Sequence, residues 1–171
     1  MNIAKGKVHS VGDHIDTDQI YPGRYIELTN PAEIADHCLE GVDPELRGRL
    51  NKGDYIVAGQ NFGCGSSREH AAITLLHAGV GAVVAESFAR IFYRNAINLG
   101  LPVIVCPGVS EKVSEGNEIS LDMAAGELVN HTTSETLSCE KLSPYVMEIL
   151  SSGGIKPLFR KRLSRQKEET R

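Results

Sequence analysis

Three short apolar runs stand out along the chain: Tyr55-Ile56-Val57-Ala58, Val80 to Ala85, and Leu101 to Cys106. Continuous runs of this length, bounded by glycine and proline, predict strands buried on both faces. Between the first two, Ala71, Ala72, Leu75 and Leu76 recur at helical spacing and end at Gly79. Between the second and third, Phe88, Ile91, Phe92, Ala96 and Leu99 mark an amphipathic helix that Gly100 closes. Strand and helix units repeated over residues 53–106 predict an α/β sheet with crossover connections, and Pro102 fits the start of its strand better than the middle.

The flanks carry weaker patterns. A strand is predicted around Lys7 to Val11, then a turn at Gly12-Asp13, a polar segment over residues 14–20 without helical periodicity, and a loop opened by Tyr21-Pro22-Gly23. Asn30 before Pro31, with Glu33 three residues after the cap, opens a short helix with Ile34, Ala35, Cys38 and Leu39 on its apolar face until Gly41. Beyond Pro107-Gly108, Val113 is placed in a short helix or turn. Glu118 to Asp122 and Glu127 to Asn130 read as strands around the turn Ala124-Ala125-Gly126, an antiparallel addition. Ser143-Pro144 opens a helix through Val146, Ile149 and Leu150 that stops at Gly153-Gly154. From Lys156 to Arg171, seven of the 18 basic residues crowd together, which is read as a frayed basic tail (156–171) after a domain spanning 1–155.

Composition narrows the class. The 171 residues, 41% hydrophobic and 23% charged, are enough for one domain with a substantial core. A net charge of -4 argues against a general phosphate-backbone binder, so no nucleic acid is expected. The N-terminal residues lead into a polar strand and no apolar window is long enough to span a bilayer, so no membrane association is expected. Cys38, Cys64, Cys106 and Cys139 are scattered, with no C-x-x-C pair, as in a reducing, cytoplasmic setting, and no metal site is predicted.

The densest chemistry lies in Gly59-Gln60-Asn61-Phe62-Gly63-Cys64-Gly65-Ser66-Ser67-Arg68-Glu69-His70, between a strand and a helix. Ser66 or Ser67 can cap the helix that follows, and a helix start beside Arg68 attracts a carboxylate or phosphate. The alternative is a capping cluster with Arg68 merely exposed. The loop lacks the lysine of a P-loop, the third glycine of a dinucleotide fingerprint and the G-x-S-x-G elbow of a hydrolase. Cys64 is a structural cysteine or a reactive thiol near a helix start. Asp13, His14, Asp16 and Asp18 lack the ligand ladder of a calcium loop and fit turn and cap duties, or Asp16 or Asp18 orients Arg68 or Arg24 across a site. Arg90, Arg94 and Tyr93 fall away from the apolar face of their helix, as a solvated face or as a surface for a partner or ligand.

Three segments together carry a resemblance: Gly12-Asp13-His14-Ile15-Asp16-Thr17-Asp18-Gln19-Ile20, Asn61-Phe62-Gly63-Cys64-Gly65-Ser66-Ser67-Arg68-Glu69-His70-Ala71, and Ser87-Phe88-Ala89-Arg90-Ile91-Phe92-Tyr93-Arg94-Asn95-Ala96. In this order, and over roughly residues 5–155, the chain resembles the small subunits of the 3-isopropylmalate dehydratase family in the aconitase superfamily. The resemblance implies a swivelling β/β/α domain of the aconitase C-terminal type. It implies a hydro-lyase of leucine biosynthesis that interconverts 2- and 3-hydroxy dicarboxylic acids by loss and return of water. The partner implied is a large subunit carrying the [4Fe-4S] cluster, in a heterodimer or heterotetramer, with no cofactor bound by this chain itself.

By the same resemblance Ser66 is the catalytic base, and Ser67 and Arg68 hold a substrate carboxylate. Asp16, Thr17 and Asp18 line the site, and His70 supports the loop. Ile26, Glu27 and Leu28 contact the variable substituent. Homoaconitase-like chains carry arginine in the part matching Glu27, so an anionic Glu27 beside two apolar residues favours a small alkyl group over a third carboxylate. A 2,3-dimethylmalate dehydratase or homoaconitase-like enzyme, and a non-catalytic interaction domain that kept the fold, are the alternatives.

Overall fold

The structure, a computed structural model, describes residues 2–170; the final residue of the expected basic segment, Arg171, lies outside the described residues. Strand β1 (Asn2–Ser10) is longer than its apolar pattern and is shared between two kinds of pairing. The polar segment after it folds into the single turn α1 (Thr17–Ile20), where no periodicity signals a helix; Asp16 and Gln19 form a reciprocal capping box that supplies the missing nucleus. The helix opened by Asn30, α2 (Pro31–Ala35), is cut short before Gly41. Leu39 adopts φ 57° so that its N–H reaches Ile20 O, and Gly41 N–H reaches Gln19 O, so docking on α1 pulls the chain out of helical register. A further short helix, α3 (Leu46–Arg49), follows and buries Leu46.

The predicted α/β core follows. Strand β2 (Tyr55–Ala58), helix α4 (His70–His77), strand β3 (Ala82–Ala85), helix α5 (Arg90–Leu99) and strand β4 (Val103–Val105) form the repeating unit, and both β2 and β3 are buried along their whole length. Gly100 closes α5 in the left-handed region, as its position after the apolar stripe predicts. Then come α6 (Val109–Lys112), β5 (Glu118–Asp122), β6 (Glu127–Asn130), β7 (Glu135–Ser138), α7 (Pro144–Ser151) and α8 (Ile155–Glu169). The seven strands form one sheet in the order β4-β3-β2-β1-β5-β6-β7, parallel from β4 to β1 and antiparallel from β1 to β7.

Strand β7 was not predicted, because Leu137 is its only buried residue and no alternation reveals it. After β7 the Glu140 N–H donates to Val105 O at 2.8 Å, so the chain returns to the opposite edge strand and the sheet curls toward closure. One continuous core joins the two halves, from Val84 and Ile104 to Ile119, Leu128 and Leu137. Residues 156–169 are not a frayed tail: they lie in α8, which buries Leu158 and packs on α5 and α7, leaving its basic residues in solvent. Among the described residues no helix is long and apolar enough to cross a membrane.

Candidate active site

Loops leaving the C-terminal ends of β1, β2 and β3 lie side by side, the edge of a parallel sheet where ligands are usually received. Backbone bonds continue the parallel pairing beyond the strands. His14 N–H donates to Gln60 O at 2.7 Å, Gly63 N–H to Ile15 O at 2.8 Å and Thr17 N–H to Cys64 O at 2.8 Å on one side. Phe62 N–H donates to Ser87 O at 3.0 Å and Ala89 N–H to Phe62 O at 2.9 Å on the other. Gly63 sits at φ 85°, where a Cβ would drive into the Phe92 ring, so only glycine lets the middle loop pass over α5.

Ser66 stands on this base. Thr17 Oγ1 donates to Ser66 O at 3.0 Å and lies 3.3 Å from Ser66 Oγ, so a buried hydroxyl holds the exposed serine from below. The expected cap is absent: α4 begins at His70 with Glu69 before it and without a side-chain cap, and Ser66 O accepts the Arg68 N–H at 2.9 Å instead. Gly65, at φ 97°, turns the chain away from the helix axis and leaves both hydroxyls exposed on the loop. Freed from capping, they are available to something outside the chain.

Arg68 is aimed by Asp18. The guanidinium meets Asp18 Oδ1 at 3.1 Å, and the same oxygen accepts the Gly23 N–H at 2.8 Å. The Gly23 amide first and the Arg68 guanidinium next hold the Asp18 carboxyl below its ordinary range, so it stays ionised and keeps its grip. A Cβ on Gly23 would come within 2.7 Å of the Arg68 guanidinium, so the bare backbone there makes room for the pair. Of the two aspartates considered for this duty Asp18 performs it, while Asp16 caps α1 and Asp13 accepts the Gln60 N–H at 2.6 Å. Each of the three acids therefore serves its own turn. Among the described residues no cluster of three or more His, Cys, Asp or Glu side chains fits a metal ion.

The segment Ile26-Glu27-Leu28 is tied to this site but does not line the cleft beside Ser66. His70 Nε2 lies 3.1 Å from Leu28 O; a carbonyl only accepts, so that nitrogen carries the proton. The His70 ring stacks on buried Tyr21 at 5.3 Å, and Tyr21 OH donates to Tyr25 O at 2.6 Å. On the outer side Glu40 gathers Arg24, Tyr25 OH and His37, which fastens the loop while leaving Ile26 and Glu27 exposed.

The cleft itself, about 430 Å³, runs from Thr17 and the Gly63–Arg68 loop to the first turns of α5, where Arg90, Ile91, Arg94 and Asn95 form the far wall. The structure brings Ser66, Ser67, Arg68 and Thr17 to this cleft, with Asp18 behind Arg68. Arg90 and Arg94, left open between solvent and ligand by their pattern, face the same space, and among the described residues neither has an ion pair. Asn95 and Ile91 were missed; the available signal was that their helix starts at the same sheet edge as the serine loop. Tyr93 is half-buried beside Phe88, contrary to an outward placement, and burial raises its phenol.

Comparison with known proteins agrees with this arrangement. Residues 14–107 match the aconitase C-terminal domain. The isopropylmalate/citramalate isomerase small subunit of Methanocaldococcus jannaschii is 51% identical over 95% of this chain and 97% of its own length. The 3-isopropylmalate dehydratase small subunit of Moorella thermoacetica is 51% identical over 91% of this chain and 93% of its own. A crystal structure of 3-isopropylmalate dehydratase from Methanocaldococcus jannaschii superposes with a TM-score of 0.94 at 43% identity, covering 99% of both chains. With the three loops, the curled mixed sheet and the length of the match in agreement, the chain belongs to the 3-isopropylmalate dehydratase small-subunit family, built on the aconitase C-terminal domain.

Proposed function

We propose that this chain is the small subunit of a hydro-lyase that interconverts 2- and 3-isopropylmalate in leucine biosynthesis, active when joined to a large subunit. The observation that carries the reading is the cleft: a serine freed from capping, backed by Thr17, faces an arginine aimed by a carboxylate. Ser66 Oγ removes the carbon-bound proton of the substrate and returns it in the reverse direction. A serine is a weak base, so its anion needs stabilisation; the single Thr17 hydroxyl proton, given to Ser66 O in this structure, can rotate to Ser66 Oγ 3.3 Å away when that oxygen ionises.

Ser67 and Arg68 hold one carboxylate, Arg68 through two parallel bonds that its planar fork allows. Arg90 and Arg94 put positive charge on the opposite wall, so that a dianion is balanced at both ends. The Ile26-Glu27-Leu28 segment meets the alkyl substituent once the large subunit closes the cleft. There an anionic Glu27 disfavours a third carboxylate and the neighbouring apolar side chains favour an isopropyl group.

The cysteines of this chain do not fit an iron–sulfur cluster. Cys38 is buried in the core with its thiol pushed up to about 12 by burial, and Cys64 lies on the serine loop far in sequence from Cys106 and Cys139. By the family resemblance the cluster of the complex belongs to the large subunit. The test is reconstitution with the cognate large subunit and a panel of 2-isopropylmalate, citramalate, 2,3-dimethylmalate and homocitrate. Isopropylmalate turnover above all others supports the reading, and a complex that turns over none of the panel overturns it.

A further inference from the structure

The sheet closes on a pair of thiols. Where the chain leaves β7, Cys139 N–H still donates to Gly126 O at 2.8 Å, while the next residue turns its N–H to Val105 O on β4, also at 2.8 Å. This places Cys139 against Cys106, which directly follows β4. The Cys106 thiol donates to Ser138 O at 3.8 Å, which sets it beside the residue that follows, Cys139. Both cysteines are free; Cys106 is buried and Cys139 is half-buried.

We infer that Cys106 and Cys139 form a reversible oxidation site, a disulfide closing the seam between β4 and the segment after β7 under hydrogen peroxide. The backbone bond from Glu140 to Val105 already holds the two segments side by side, with Cys106 and Cys139 each adjoining it. The neighbouring Cys139 thiol holds the Cys106 thiol below its usual range, so Cys106 is the sulfur of the pair that ionises first.

That sulfur attacks one peroxide oxygen; the O–O bond breaks, hydroxide leaves and a sulfenic acid remains. Hydroxide takes the Cys139 proton to give water, and the Cys139 sulfur attacks the sulfenic sulfur. The S–S bond forms as the S–O bond breaks, and the departing hydroxide becomes water with the proton lost at the start. In sum, two thiols are oxidised by two electrons and one peroxide is reduced to two waters.

The seam borders a second cleft, about 470 Å³, lined by Val105 and Glu140 on one side and by Arg90 and Arg94 on the other. The site thus lies next to the α5 arginines but involves none of the residues assigned to the reaction, and it stands whether or not that assignment does.

The test is to treat the reduced full chain with hydrogen peroxide, count thiols in denaturant and map peptides by mass spectrometry. The expected result is a fall from four free thiols to two, a Cys106–Cys139 linked peptide, and recovery of all four with dithiothreitol. The linked peptide disappears in Cys139→Ser, whose folding is checked by circular dichroism. Four surviving thiols, a bond to Cys38 or Cys64, or oxidation to sulfinic acid without any link overturns the proposal, and the wild-type mapping decides this even where the variant folds poorly.

Discussion

Strand β2 has an aspartate-centred polar node at each end, and the two are built in opposite ways. At its N-terminal end Asp54 is buried and saturated. It accepts from His9 Nε2 at 2.8 Å, from Asn51 N–H at 2.9 Å and from Lys7 N–H at 3.2 Å, and His9 is itself 1% exposed. At its C-terminal end Asp18 and Arg68 make one contact in solvent, beside serine hydroxyls with donors and acceptors to spare. The buried node joins β1, β2 and the preceding turn and has little bonding capacity left for a ligand. The open node contributes little to stability, because an exposed pair is worth at most about 1 kcal/mol. At the buried node the Asp54 carboxylate is fully engaged, although His9 Nδ1 is left without a hydrogen bond, whereas the groups kept for chemistry are held in place but left open to solvent.

The contrast predicts which node each measurement disturbs. The largest effect is on turnover: Ser66→Ala lowers kcat of the reconstituted enzyme by about 10³-fold or more while leaving the thermal midpoint of the isolated chain unchanged. Retained turnover removes Ser66 as the base. At the other end, Asp54→Ala strands His9 and two backbone donors in the core and costs about 3 kcal/mol in denaturant unfolding. A loss under about 1 kcal/mol would mean that the node is not structural.

The pH dependence follows from the same node. Burial works against ionisation of Asp54, but the donors from His9, Asn51 and Lys7 outweigh it and hold the carboxyl below its ordinary 3.8. A lowered carboxyl contributes stability that is fully present above that value and is lost as pH falls through the folded pKa. Acid unfolding monitored by circular dichroism is therefore expected to steepen below about pH 4 in the parent chain and to flatten in Asp54→Asn.

Asp18→Asn weakens the aim of Arg68 and lowers kcat/KM by about 10-fold, with stability changed by less than about 0.5 kcal/mol. Smallest is Arg90→Ala, expected to raise KM by a few-fold with kcat nearly unchanged, because its charge sits on the far wall of the cleft. A kcat loss equal to that of Asp18→Asn would place Arg90 in the reaction itself.

Much of this was legible in the residues. Buried strands such as Tyr55–Ala58 announce themselves because both faces are apolar, and Gly100 marks the end of α5 because few other residues tolerate its φ of 90°. Strand β7 and helix α1 were hidden for the complementary reason: one rests on Leu137 alone and the other on a capping box, and neither has a periodic face. The basic stretch misled because charge dominates α8, while Leu158 and its neighbours suffice to dock it. At the site, the serine–arginine loop was visible in its glycines and in its family resemblance. That the serines leave the helix uncapped depends on the turn at Gly65, which no composition reveals.

By itself the sequence determined the parallel α/β unit, the three loops that matter and the family, because local periodicity and short motifs are encoded residue by residue. The tertiary structure decided which of the two aspartates holds Arg68, that Arg90 and Arg94 face the same cleft as Ser66, and that Cys106 meets Cys139 at the closing seam. Those are pairings between segments distant in the chain. They exist only once strand order and curl bring the segments together, and no spacing within a single segment records them.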